Sequence, residues 1–159
     1  VKKDVYIETT VVSYLTARTS RNTIIAGHQE ATRKLRPKLA AEYGAFVSAL
    51  VYEEAQRGDP RQARMRLEAI KSFPMLEIDD EARDLAQRII AEKGVPKEYP
   101  EDALHVAVAA VNGIEVFITW NFGHLINPFI RFKIRRIVEN AGYQCPEICS
   151  PEELLEDEP

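Results

Sequence analysis

Apolar residues along this chain fall into two alternating patterns. Short β-prone runs occur at Val5-Tyr6-Ile7, Ala45-Phe46-Val47, Met75-Leu76-Glu77-Ile78, Glu115 to Thr119 and Glu147-Ile148-Cys149. Between them lie longer stretches whose apolar residues recur three and four apart, such as Leu104, Ala107, Val108 and Val111. The first pattern predicts buried strands, the second helices with one packed face. Helices are predicted over Val11 to Leu15, 23–42, Ala49 to Arg57, 61–71, Asp80 to Lys93, Pro100 to Val111 and Pro128 to Ala141. The residues at their ends agree. Ser48 is a good N-cap for the helix at Ala49. Pro100 suits a first helical position, and Glu101 and Asp102 face the positive end of that helix's dipole. Asn112-Gly113 and Gly142 end two helices, and Gly94 closes another. Pro37 is expected to interrupt or restart the long helix over 23–42. Ser150-Pro151-Glu152-Glu153 starts a short helix that frays into an acidic tail.

Strands alternating with helices imply a parallel sheet with helices on both faces. A chain of 159 residues is enough for one domain with a full core. No repeat or low-complexity linker divides it, so residues 1–150 are read as one domain and 151–159 as an acidic tail. No apolar run approaches the ~18 residues needed to span a bilayer. The start, VKKDVYIETT, brings charge and a strand pattern before any apolar signal region. Cys145 and Cys149 lack a second pair of zinc ligands and are read as reduced thiols of a cytoplasmic protein.

Charge changes the picture in one respect. The formal net charge is −4, but Glu152, Glu153, Glu156, Asp157 and Glu158 crowd the last nine residues. Without those five charges the body stands at +1, so overall acidity does not argue against a nucleic-acid substrate. Basic residues cluster at Arg33, Lys34, Arg36 and Lys38, at Arg61, Arg64, Arg66 and Lys71, and at Arg131, Lys133, Arg135 and Arg136. They read either as solvated helix faces or as phosphate contacts around an acidic pocket.

The candidate chemistry lies in acids at equivalent places. Glu8 ends the first strand, and Glu54 lies on the helix after the second. Asp102 opens the helix before the fourth strand, and Asn121 follows that strand. Open α/β sheets bind ligands outside the carboxyl ends of their strands, so these residues can share one pocket. Carboxylates brought together repel unless a cation sits between them. Hard oxygen ligands suit Mg²⁺ or Mn²⁺, and such an ion can lower the pKa of a water and neutralise a phosphodiester. The sequence offers no Ser-His-Asp triad, P-loop or GxGxxG.

The chain resembles the PIN-domain nucleases, specifically VapC-type toxins of toxin–antitoxin pairs. The resemblance rests on YIETTVVSYL, FVSALVYEEAQRGDP and EDALHVAVAAVNGIEVFITWNFGHL in that order, with INPFIRFKIRRI and PEICSPEELL after them. It implies a three-layer α/β/α sandwich with a mainly parallel sheet and a divalent-metal site. It also implies metal-dependent endonucleolytic cleavage of RNA, a homodimer and a cognate antitoxin that blocks the site. Glu8, Glu54 and Asp102 match the family's metal-holding acids, and Asn121 holds its fourth catalytic position. Most members carry Asp where Glu8 stands and often Asp at Asn121. Thr10, Thr119 and His124 are substrate-binding candidates, though Thr9 and Thr119 equally suit strand ends that satisfy backbone groups. His105 is read foremost as a packed, hydrogen-bonded histidine. Trp120 is read foremost as a half-buried anchor, with base stacking as the alternative. A rival reading is a degenerate PIN fold that binds RNA or a protein without cleavage. A phosphotransferase is a third, but it wants a nucleophilic Asp where Glu8 stands.

Overall fold

A computed structural model describes residues 2–155. Five strands among these residues form one parallel sheet, β1 (Asp4–Ile7), β2 (Gly44–Ser48), β3 (Met75–Leu76), β4 (Val116–Ile118) and β5 (Glu147–Cys149). Their order across the sheet is β3-β2-β1-β4-β5. Among the described residues eight α-helices join and flank them: α1 (Thr9–Thr16), α2 (Thr23–Glu42), α3 (Ala49–Ala55), α4 (Pro60–Ile70), α5 (Asp80–Ala91), α6 (Pro100–Val111), α7 (Pro128–Asn140) and α8 (Pro151–Leu155). On one side α1 packs with α2, α3 and α4, and α2 with α8; on the other, α5 packs with α6 and α7. The result is the expected three-layer α/β/α sandwich.

β1 is the centre of the sheet. Val5 and Tyr6 are fully buried, as a strand covered on both faces requires. Tyr6 lies beside Phe46 on β2 and Phe117 on β4. Fully burying a side chain such as Val5 or Ile118 contributes about 1.5–3 kcal/mol. The chain builds outward from β1 to β2 and β3, then returns to lay β4 and β5 on the other side. The crevice at this reversal opens beyond Ile7 and Ile118, which are paired in register.

The sequence-based boundaries hold within a residue or two for most elements, and four differences have physical causes. Pro37 does not interrupt α2. It forfeits one backbone bond, while Leu35 and Leu39 on either side are buried and hold the helix to the core. Strand β3 is only Met75–Leu76, at an edge with one neighbour. The turn after α5 takes its left-handed residue at Lys93, with φ 63°, rather than at Gly94. Gly94 instead permits close packing, since a Cβ there would lie 2.9 Å from Ile137 Cδ1. The periodicity also gave no sign of the π-helical turn Phe122–Ile126 after β4, where Leu125 and Ile126 both donate their N–H to the Asn121 carbonyl.

The end of the described chain is part of the folded body. Ser150 and Glu153 cap each other reciprocally, and Leu154 and Leu155 pack against the core. The acids at 156–158 lie outside the described residues. Among the described residues no helix is long and apolar enough to cross a membrane.

Candidate metal centre

Two carboxylates, Glu8 and Glu54, gather with His105 at the crevice, and Asp102 makes its own pair with His124. Glu8 follows β1 and curls back to cap α1, accepting the Thr10 N–H at 2.9 Å. Its Oε1 accepts the Thr10 hydroxyl at 2.6 Å and the Thr119 hydroxyl at 2.5 Å. Thr10 and Thr119 aim their hydroxyl protons at Glu8. Thr119 Oγ1 also accepts the Asn121 N–H, and Thr10 Oγ1 the Trp120 N–H.

Glu54 comes from the last turn of α3, which Ser48 starts by accepting the Val51 N–H. Its Oε1 accepts the Thr9 hydroxyl at 2.6 Å and lies 2.5 Å from His105 Nε2. Behind this ring runs a buried polar chain. His105 Nδ1 is 2.6 Å from the Tyr6 hydroxyl, which is 2.8 Å from Ser48 Oγ. In the protonated ring both nitrogens donate, to Glu54 and to Tyr6, and Tyr6 passes its own proton toward Ser48. His105 is therefore a packed, hydrogen-bonded histidine, 1% exposed.

The charges respond to one another. Burial by itself would raise the Glu54 carboxyl, but the His105 hydrogen bond and charge, with Thr9 and Arg57, outweigh it and lower its pKa. Burial would lower His105, but the Glu54 hydrogen bond and the negative charges of Glu8, Glu54 and Asp102 outweigh it and raise its pKa. Burial, together with the charges of Glu8 and Glu54, pushes the Tyr6 hydroxyl well above 10, against the lowering effect of Ser48.

Asp102 stands in the first turn of α6 and its Oδ2 lies 3.0 Å from His124 Nδ1. Asn121 turns its Oδ1 toward the His124 N–H at 3.0 Å, capping the π-helical turn. Ligand atoms of Glu8, Glu54 and His105 all lie within 4.8 Å of one another. Asp102 acts on this group through its charge on His105, while Asn121 faces the turn beside it. Trp120 is buried as an anchor, with its ring 4.2 Å from His28 and its Nε1–H donated to Thr32.

Tyr6 and Ser48 were not among the sequence candidates. The usable signal was Tyr6 in an otherwise apolar strand, since a buried Tyr hydroxyl needs a partner. Many basic residues are spent inside the fold. Arg33 and Arg66 bond backbone carbonyls, Arg36 lies over the Phe73 ring, and Arg131 bonds the Ile148 carbonyl. Cys145 and Cys149 are free thiols, each pushed up to about 12 by burial.

The donor set fits a hard divalent cation. Carboxylate oxygens dominate it, and a buried histidine drawn toward its charged form marks a strongly negative site.

No curated protein matches the chain significantly. Among solved structures, the chain is similar to VapBC2 from Rickettsia felis, crystallised bound to a DNA fragment from their promoter. The TM-score is 0.60 at 16% identity, covering 92% of this chain and 98% of that one. At that identity the likeness is one of fold. The sequence also matches the PIN domain family over residues 5–122. That span runs from β1 into the π-helical turn and takes in Glu8, Glu54, Asp102 and Asn121, so the chain belongs to the PIN-domain family.

Proposed function

We propose that this PIN-domain protein is a divalent-metal-dependent endoribonuclease, the VapC-type toxin of a toxin–antitoxin pair. The observation that carries the reading is the convergence of Glu8 and Glu54 within 4.8 Å, with the charge of Asp102 acting on the same group. Glu8, Glu54 and Asp102 would hold Mg²⁺ or Mn²⁺. Such an ion supplies an activated water and neutralises charge on an RNA phosphodiester.

The chain's own residues do the positioning. Thr10 and Thr119 fix the Glu8 carboxylate, and Thr9 and His105 fix Glu54. His105 is assigned as the positioning group of Glu54, because both of its ring nitrogens already face protein partners. His124 orients Asp102 and is itself set by Asn121. His124 is the substrate-facing candidate of this pair, since its ring is partly exposed beside Asp102.

The fold likeness to VapBC2 supports an antitoxin partner. A homodimer is supported by Phe129 and Phe132, 86% and 69% exposed and one turn apart on α7. A dimer that Phe129→Ser with Phe132→Ser separates in light scattering bears this out; a monomeric parent overturns it.

The test of the activity is cleavage of single-stranded RNA by metal-stripped protein restored with Mg²⁺ or Mn²⁺. Calorimetry with Mn²⁺ runs alongside and is expected to count one ion per subunit without RNA. Metal-restored cleavage that is lost in Asp102→Asn supports the reading. Full activity of that variant sinks it. Metal and RNA binding with no cleavage favours the degenerate, binding-only fold.

A further inference from the structure

We propose that Phe122 and Tyr99 form a base-stacking subsite for single-stranded RNA beside the acids. The inference rests on the RNA-cleavage reading and adds the residues that would hold the strand. Phe122 is 50% exposed and Tyr99 is 48% exposed, both high for large rings beside a buried site. Each ring has one supported face. Phe122 leans on His28 and Trp120, with centroids 5.6 Å and 6.1 Å away. Behind it Trp120 clusters with His28 and Tyr14, at 4.2 Å and 5.8 Å. Tyr99 lies 4.2 Å from the His124 ring, which bonds Asp102.

Both rings are tied to the acids through short, rigid connections. Phe122 directly follows Asn121, whose carbonyl and side chain build the π-helical turn. Tyr99 precedes Pro100 and accepts the Asp102 N–H on its carbonyl. A phosphate at the acids would therefore carry its flanking bases past these two rings. Positive charge lies on the Phe122 side. The loop over 17–22 carries exposed Arg18 and Arg21 and is pinned by Gln29, the neighbour of His28, through the Arg18 carbonyl and the Ser20 N–H.

The occupant is single-stranded because a ring stacks only on an open base face, and duplex bases already stack on each other. The sequence offered base stacking by Trp120 only as the alternative to an anchor; burial makes Trp120 the anchor and leaves Phe122 as the exposed member of the same aromatic cluster. A protein contact is the competing use of exposed rings. The exposed Phe129 and Phe132 of α7 suit that better than two rings on separate elements near the acids.

The test is anisotropy of a fluorescein-labelled single-stranded RNA of mixed sequence, in EDTA so that no cleavage occurs. Phe122→Ala and Tyr99→Ala should each weaken binding by about tenfold to a hundredfold, while Phe122→Trp retains it. An abasic nucleotide that weakens binding to the parent should cost less in Phe122→Ala. Unchanged Mn²⁺ calorimetry shows that the variants keep the acids in place. Binding equal to the parent in both alanine variants overturns the inference and assigns the rings to a protein contact. Equal losses for duplex and single strand overturn it too. A parent that binds through these rings yet cuts nothing in Mn²⁺ overturns the nuclease reading and leaves the stacking subsite standing. A parent that cuts RNA, with Phe122→Ala and Tyr99→Ala affinities unchanged, does the reverse.

Discussion

Two carboxylate–histidine pairs face the same crevice and are built differently. In Glu54–His105 the side chains are 20% and 2% exposed and the ring nitrogen lies 2.5 Å from the carboxylate. In Asp102–His124 they are 19% and 29% exposed and the separation is 3.0 Å. His105 is continued inward by Tyr6 and Ser48, while His124 is covered by the half-exposed Tyr99. The two carboxylates are equally exposed, so the histidines make the difference: a buried ring with both nitrogens partnered fixes a geometry, and breaking it leaves a donor without water. An open pair can exchange partners at little cost. The difference assigns rigidity to the Glu54 side and adaptability to the Asp102 side, where a substrate would meet the protein.

Stability measurements can break this comparison, the largest effect coming first. Glu54→Ala removes the charged partner of a buried histidine and should destabilise the metal-free protein by about 2 kcal/mol in urea unfolding, as well as abolish Mn²⁺ binding. A variant as stable as the parent would show that His105 is satisfied without Glu54. Tyr6→Phe should cost about 1.5 kcal/mol, because Ser48 and His105 Nδ1 both lose their partner. Its Mn²⁺ affinity should fall less than that of Glu54→Ala, since the carboxylates remain.

The pH dependence of the metal-free protein sharpens the same contrast. Glu54 has a lowered pKa in the fold, so its stabilisation is complete above its ordinary 4.5 and is lost as pH falls through the folded value. His105 has a raised pKa, so its stabilisation is complete below its ordinary 6.5 and is lost as pH rises through the folded value. Thermal melts should therefore show the pair's contribution in full between pH 4.5 and 6.5 and declining on both sides. In Glu54→Gln this pattern should flatten. If the parent instead gains stability steadily above the ordinary histidine value, His105 is not held charged by the acids.

Smaller effects belong to the open side. Asp102→Asn should change stability by less than about 0.5 kcal/mol while cleavage is lost, because its partner His124 can turn to water. A melting loss as large as that of Glu54→Ala would erase the distinction between the pairs. Asn121→Asp should move Mn²⁺ affinity least, since the Asn121 side-chain oxygen faces the His124 N–H rather than the clustered acids. A large gain in affinity would mean that the turn rearranges to present the new carboxylate to the ion.

Much of this was legible in the residues. Ser48, Pro100 and Gly113 marked helix ends through local backbone chemistry, which acts over a few neighbours and needs no tertiary partner. The alternation of strands and helices determined a parallel sheet, because each element's apolar pattern must find cover. The order of acids along the chain singled out Glu8, Glu54 and Asp102 as candidates, since parallel strands deliver their carboxyl ends to one edge. Tertiary structure decided what each acid touches. The hydroxyls of Thr10 and Thr119 meet at Glu8 across 109 residues of chain, and Tyr6 reaches His105 across 99. Such contacts depend on strand register and helix rotation, where a shift of one residue would turn Tyr6 or Thr119 to the other face. The π-helical turn that aims Asn121 at His124 and leaves Phe122 open is likewise a property of packing beyond β4. Its five residues leave no periodicity from which to read it.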